Sequence, residues 1–266
     1  MSFKLKSITY LIISLLSLNY QFAYANDQPQ DKRKASISIS PEFGYYRYEE
    51  PGIMKIKGPL IGLNSETQIP LPYKFSVRLF VRSAYNFGSY SSTSSGDQDN
   101  DNSWLINIAP SVGYSFIFNN GFTLTPYTGF GYRYLNNDSS GDTTTTGHFG
   151  YLRESNYFYW PIGLDIKLKQ GKWSYRGVFE YDYLIVGYQY SHLPASFGGT
   201  ISNKQTQGYG LNGKLEIAYQ VSRRVQIGVG PYIRYWNIKE SEVDKGFVEP
   251  DNNTFEAGGF ISFIFS

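Results

Sequence analysis

Cysteine is absent from this 266-residue sequence, and histidine occurs only at His148 and His192. The lack of cysteine excludes disulfide bonds, thiolate metal sites and a cysteine nucleophile, and two histidines argue against a multi-histidine metal centre. The mean hydropathy of −0.36 argues against a helical membrane protein. We therefore expect no cofactor and no bound metal ion.

An excess of charge of one sign is also lacking. The sequence holds 24 Lys and Arg residues against 22 Asp and Glu residues. Without Lys4 and Lys6, which lie in a segment that we expect to be removed, 22 basic residues face 22 acidic ones. A neutral chain is not typical of proteins that bind polyanions through net charge, so no nucleic-acid partner is expected. Aromatic residues, by contrast, make up 18% of the chain, which excludes disorder throughout.

The first 25 residues have the three parts of a secretory signal peptide. Two lysines precede an apolar run over residues 8–18, and the segment ends at Ala23-Tyr24-Ala25. The run is shorter than the roughly 20 residues of a membrane-spanning helix, which favours the signal peptide. We predict a signal peptide over residues 1–25 and a polar lead-in over residues 26–34.

The remainder of the chain alternates apolar and polar residues with a period of two, which predicts β-strands. Ten such segments can be distinguished, at residues 35–48, 54–69, 74–88, 103–118, 122–135, 154–168, 173–191, 208–221, 224–238 and 254–265. Short connections alternate with longer polar ones at residues 89–102, 136–153, 192–207 and 239–253. This asymmetry is typical of an outer-membrane barrel with its long loops outside the cell.

A soluble β-sandwich is the alternative fold. Its polar faces would meet water and carry many charges, whereas here the polar faces are rich in Gly, Ser and Asn. The apolar faces also end in aromatic residues, which favour the two lipid–water interfaces. We therefore predict an all-β fold, a closed antiparallel transmembrane β-barrel of about ten strands over residues 35–266.

The C-terminal strand adds a resemblance. In the tail, Ile261, Phe263 and Phe265 alternate up to the penultimate position, before Ser266. The chain thereby resembles the small outer-membrane β-barrel proteins of Gram-negative bacteria, whose last strand is recognised by the barrel assembly machinery. The resemblance implies a cell outer membrane location, a monomer, and outer-membrane lipid, lipopolysaccharide and the assembly machinery as partners. It names no extracellular ligand.

The polar faces of the strands would line the lumen of the barrel. They carry seven acidic and seven basic residues: Glu42, Glu66, Arg78, Arg82, Arg133, Asp165, Lys167, Arg176, Glu180, Asp182, Lys214, Glu216, Arg234 and Glu256. Buried charges need partners because their desolvation is costly, so this balanced set predicts a lumen plugged by ion pairs. The alternative is a narrow pore for small solutes or ions that is lined by the same charges.

Catalytic groups are harder to find in the sequence. Some ten-stranded barrels are omptin-type proteases with rim carboxylates and an Asp-x-His arrangement. Asp97, Asp99, Asp101 and His192 offer only a superficial similarity, because they lie in polar loops and His192 has no acid within two residues. Ser191 adjoins His192 but would point to the opposite face of a strand, which argues against a lipid-modifying hydrolase. We expect no catalytic residues and a structural or surface-interaction role, with the narrow pore and a rim enzyme as alternatives.

Overall fold

A computed structural model describes residues 34–266, so the predicted signal peptide and nearly all of the polar lead-in lie outside the described residues. Fifteen strand segments are present: β1 (Ser36–Glu50), β2 (Met54–Pro70), β3 (Phe75–Asn86), β4 (Ser89–Ser92), β5 (Gly96–Gln98), β6 (Ser103–Tyr114), β7 (Phe116–Ile117), β8 (Phe122–Gly129), β9 (Gly131–Asp138), β10 (Leu152–Gln170), β11 (Trp173–His192), β12 (Thr200–Gln205), β13 (Gly208–Gln220), β14 (Val225–Ile238) and β15 (Asn252–Phe265). Two short 3-10 turns, Pro72–Lys74 and Ala195–Phe197, accompany them. Within residues 34–266, no helix is long and apolar enough to cross a membrane.

The segments join into ten antiparallel strands that close into a barrel. β3 continues into β4, β5 into β6 and β7, β8 into β9, and β12 into β13, while the other segments are single strands. β1 pairs with β15 from Ile37 opposite Phe265 to Glu49 opposite Asn253, which closes the sheet. Closure removes both sheet edges, as hydrocarbon requires. The predicted closed ten-stranded antiparallel barrel is confirmed.

Glycines on the inner wall allow tyrosine rings to lie flat against the strands. A Cβ atom on Gly131 would lie 2.0 Å from Cζ of Tyr159, and one on Gly163 would lie 2.1 Å from Cζ of Tyr127. Both tyrosines are buried. The high glycine content therefore has a packing reason here: a bare backbone on one strand makes room for an aromatic ring on a neighbouring strand.

The outer surface carries a wide belt of exposed apolar side chains. Its members are Phe43, Ile61, Leu63, Val77, Val112, Ile162, Phe179, Leu211, Leu215, Ile217, Val229, Ile233 and Ile261. Aromatic pairs border this belt on both sides. Trp104 with Tyr134 and Tyr209 with Tyr235 lie towards the long connections, at ring-centroid distances of 6.0 and 6.2 Å. Phe75 with Tyr114, Phe118 with Phe122 and Trp173 with Tyr219 lie towards the short turns.

The barrel rises well above this belt on the side of the long connections. β10 has 19 residues and β11 has 20, whereas about 9–11 residues span a membrane. The connections predicted over residues 89–102 and 192–207 are only partly loops, because they contain β4 with β5 and β12, which continue the ladders of β2 and β11. The outer side of these segments faces water. Their alternation of apolar and polar residues is therefore weak, and it did not identify them as strands.

Candidate functional site

The lumen holds the charged residues that the sequence analysis singled out. All fourteen have their side chains on the inner side of the wall, where they contact residues of other strands or line an internal cavity. The structure divides them into an upper ion network, which lies below the aromatic side chains of the extracellular end, a lower ion network near the short turns, and several further charges.

The upper network consists of two arginines and two glutamates. Arg82 contacts Glu42 at 2.7 Å through Nε and Glu256 at 2.5 Å through Nη2. Arg234 contacts the same two carboxylates, at 2.9 and 3.5 Å, and Asn64 Nδ2 donates a hydrogen bond to Glu42. Glu42 is 0% exposed and Arg82 is 3% exposed. Each charge thus has two partners of opposite sign, which offsets the desolvation of the group.

The lower network is built around Arg176. Its guanidinium contacts Asp165 at 2.6 Å and also pairs with Glu66 on a strand across the barrel. Lys167 lies 3.6 Å from Asp165 and donates a hydrogen bond to Gln68 Oε1 at 2.8 Å. Because the side chain of Lys167 is 39% exposed, this end of the lumen is reached by solvent.

Three further charged residues, Arg78, Glu180 and Asp182, lie outside the two networks. Arg78 stacks on the Tyr127 ring, 3.6 Å from its centroid, and contacts Glu180 at 3.4 Å. The Tyr127 hydroxyl donates to Glu180 at 2.9 Å. Asp182 is fully buried and accepts a hydrogen bond of 2.6 Å from Asn212. A cavity of about 70 Å³ lies beside Arg78 and Glu180, which is room for ordered water.

Two cationic side chains in the lumen contact aromatic rings rather than carboxylates. Arg133 lies 5.7 Å from the ring centroid of Tyr157 and 5.4 Å from that of Trp236. Lys214 Nζ lies 4.3 Å above the Phe260 ring. A cation over a ring face is stabilised by the ring quadrupole. Ion pairing therefore accounts for only part of the predicted network.

The extracellular end of the lumen contains packed apolar and aromatic side chains beside buried polar ones, which the sequence analysis did not predict. Buried side chains form two clusters there, which comprise Tyr46, Tyr48, Met54, Ile56, Leu60, Ala84, Leu105 and Leu135, and Ala109, Tyr157, Tyr159, Leu184, Trp236 and Ile238. Here the barrel wall stands in water, so its outer face is polar and its inner face packs as a soluble core does. One signal was present: exposed Lys55 and Lys57 alternate with buried Met54 and Ile56, the reverse of the membrane pattern.

A carboxylate pair lies at the mouth of the barrel, above the membrane. The Tyr48 hydroxyl is 3.1 Å from Glu50 Oε1 and 3.3 Å from Glu249 Oε1, and Arg153 contacts Glu50 at 3.1 Å. Burial, together with the nearby Glu50 carboxylate, raises the pKa of Glu249 to about 7. This cluster attaches the 239–251 connection to β1 and β10.

The catalytic candidates do not converge. His192 Nε2 lies 2.8 Å from Glu154 Oε2, and its Nδ1 lies 3.2 Å from Thr200 Oγ1. Sequence spacing could not find Glu154, because it comes from the neighbouring strand. Asp101, which the sequence analysis placed in a polar loop, is buried: it is 2% exposed and accepts a hydrogen bond of 2.6 Å from Asn137. Across the described chain, no hydrogen bond or ion pair joins Asp101 to His192, and no three His, Asp or Glu side chains are grouped to hold a metal ion.

Comparisons with known proteins show which solved structures have a similar fold. No family model matches the sequence, and no curated protein matches it either. The solved structure of the outer membrane protease OmpT from Escherichia coli is similar with a TM-score of 0.65 and 11% identity, covering 87% of this chain and 96% of that one. The translocator domain of the autotransporter NalP from Neisseria meningitidis has a TM-score of 0.44 and 10% identity, covering 99% and 97%. At such identities the likeness to OmpT concerns the fold alone.

The location follows from the fold and from its surface. A belt of exposed Phe, Ile, Leu and Val side chains around a closed barrel is stable in hydrocarbon and unfavourable in water. The aromatic rings at both borders of the belt lie where lipid meets water. With its ten closed strands, the chain is therefore a small outer-membrane β-barrel protein.

Proposed function

We propose that this protein is a non-enzymatic, non-conducting barrel of the outer membrane, with a structural or surface-interaction role. One observation carries the proposal: the lumen is filled in layers, with ion pairs at membrane depth and, above them, a packed layer in which apolar and aromatic side chains lie among buried polar ones. A hydrated ion would have to pass both layers.

The apolar layer is the more restrictive of the two. Tyr46, Tyr157 and Tyr159 are at most 1% exposed and Trp236 is 3% exposed. The Tyr157 and Trp236 rings stack, with centroids 6.4 Å apart, and the Tyr159 ring meets Trp236 edge-on at 5.2 Å. Moving these rings aside would expose apolar surface to the lumen. Small barrels are generally filled in this way, whereas open channels need more strands.

The part above the membrane supports the surface-interaction role, because neighbouring connections are tied together there. Thr145 and Asp97 exchange two hydrogen bonds, from Thr145 N to Asp97 O at 2.9 Å and from Asp97 N to Thr145 Oγ1 at 3.0 Å. Ser202 N donates to Asp244 at 3.0 Å. The resulting platform presents apolar side chains to the exterior, namely Ile53, Phe149, Val243, Phe247 and Val248. We infer that this ordered surface with its exposed apolar side chains is available for contact with another protein.

The test is conductance of the refolded protein in a planar lipid bilayer at two salt concentrations. We expect a silent wild-type barrel. The triple variant Tyr157→Ala, Tyr159→Ala, Trp236→Ala removes the aromatic layer, and it should conduct if it remains folded. Discrete ion-selective steps in the wild type, altered by Arg78→Gln, would refute the proposal and support the narrow pore.

A rim enzyme is the second candidate, and one observation favours it. His192 is placed between a carboxylate and a hydroxyl, as a general base between its orienting group and a nucleophile would be. If the site is catalytic, casein or a phospholipid in detergent should be hydrolysed, and both His192→Gln and Glu154→Gln should abolish the activity. Hydrolysis that survives both substitutions would rule out a role of this pair.

A further inference from the structure

Three basic side chains lie together on the outer face of β1 and β2. Arg47 and Lys57 are directly opposite each other in the ladder, and Lys55 is opposite Glu49 one pair further up. Like charges that face each other across two strands destabilise a sheet unless another group compensates them. Lys55 has a carboxylate opposite it, whereas Arg47 and Lys57 face each other.

The protein itself compensates this charge only weakly. Arg47 Nε lies 3.4 Å from Glu49 Oε2, in an exposed pair. Among residues 34–266, no carboxylate lies within ion-pair distance of Lys57. Two other lysines of the outer rim do have such partners: Lys239 lies 3.0 Å from Asp251, and Lys204 lies 3.6 Å from Glu242.

The position of Arg47 and Lys57 relative to the membrane indicates which group compensates their positive charge. Arg47 lies two residues above Tyr45 on β1, and Lys57 lies two residues above Pro59 on β2, which is opposite Tyr45. Tyr45 on β1 and Tyr85 on β3 are exposed aromatic residues at the upper border of the apolar belt. Two residues on a strand inclined by about 45° rise about 5 Å, which takes the two cations from the edge of the hydrocarbon into the headgroup layer.

We propose that Arg47 and Lys57 form a binding site for the phosphate groups of a phosphorylated lipid headgroup in the outer leaflet. An arginine fork and a lysine ammonium side by side suit a phosphate monoester, which accepts several charge-assisted hydrogen bonds. On the next strand, Ser89 is paired with Lys57, and its hydroxyl group donates a hydrogen bond of 3.4 Å to the Lys57 backbone oxygen. The site lies outside the barrel, so it does not depend on whether the lumen conducts.

The test measures lipid binding to the full barrel in detergent by native mass spectrometry. The probes are a bis-phosphorylated lipid A, the same lipid after enzymatic dephosphorylation, and inorganic phosphate. Arg47→Gln with Lys57→Gln removes the site. Lys204→Gln with Lys239→Gln is the matched control, because it removes two positive charges from the same rim at positions that already have acidic partners.

We expect the first double variant to bind phosphorylated lipid A about 30-fold more weakly than the wild type, from two basic contacts to a lipid surface. The control should bind like the wild type, and dephosphorylated lipid should bind all three proteins weakly. Equal binding of lipid A by the two double variants would overturn the proposal, as would equal binding of the dephosphorylated lipid by the wild type. Binding of inorganic phosphate as tight as that of lipid A would overturn the assignment to a lipid.

Discussion

The substitution Arg82→Met tests the upper ion network most directly. It keeps a long side chain but removes the charge that bridges Glu42 and Glu256 at 2.7 and 2.5 Å. Removing one partner of a buried ion pair costs about 3–5 kcal/mol. Because Arg234 still contacts both carboxylates, we expect a loss of about 3 kcal/mol, near the lower end of that range.

The assay is reversible urea unfolding in lipid vesicles, followed by tryptophan fluorescence. Adding Glu256→Gln to Arg82→Met should restore part of the lost stability, since one carboxylate then remains for one guanidinium. Lys204→Met, which removes an exposed pair with Glu242, should change the free energy of unfolding by about 0–1 kcal/mol. If Arg82→Met lowers the free energy of unfolding no more than this control does, the network does not stabilise the barrel as argued. The same conclusion follows if the double variant loses as much stability as Arg82→Met and Glu256→Gln lose separately when added together.

Two further predictions concern the rim and the wall. The pKa of Glu249 is raised from 4.5 to about 7 by burial and by Glu50, so the folded rim keeps a proton that the unfolded chain releases. The stability of residues 239–251 should therefore fall as the pH rises from about 4.5 to 7 and level off above that range; amide hydrogen exchange should show this, and Glu249→Gln should flatten the profile. Gly131→Ala would force a Cβ to within 2.0 Å of the Tyr159 ring and should cost about 1–3 kcal/mol in the same urea assay. Gly177→Ala, whose nearest neighbours are side-chain atoms at 3.5 Å, is the matched control, and an equal loss in both variants would contradict the packing argument.

The membrane-spanning part of the fold could be predicted from the sequence because its two faces meet different surroundings. Lipid outside and a polar lumen inside impose a period of two on every strand, as residues 75–87 show. The inward orientation of Arg82 and Glu256 follows from that period. Which charges pair does not follow, because Arg82 lies 40 residues from Glu42 and 174 residues from Glu256, and these partners meet only through the register of the closed barrel.

The rim was harder to predict for a related reason. Glu154 meets His192 because β10 pairs with β11 through a bulge between Phe158 and Tyr159, which shifts the register above it. A bulge adds one residue to one strand and leaves no clear mark in the hydrophobic pattern. Spacing along the chain therefore assigned His192 no acidic partner, although the neighbouring strand supplies one.

The polarity of the barrel wall reverses along β1 and β2, and this reversal locates the membrane boundary. At membrane depth Phe43 and Ile61 face outward while Glu42 is buried inside; above it Lys57 faces outward while Ile56 is buried inside. Each arrangement is the stable one for its surroundings, because apolar groups turn towards lipid in the first case and away from water in the second. On β2 the inner face is already apolar at Leu60, and the outer face becomes basic between Pro59 and Lys57, at the pair of cations proposed to bind lipid phosphate. The same physical boundary thus explains why a core of the soluble type closes the mouth of the barrel and why basic residues that the protein compensates only weakly lie on its outer wall.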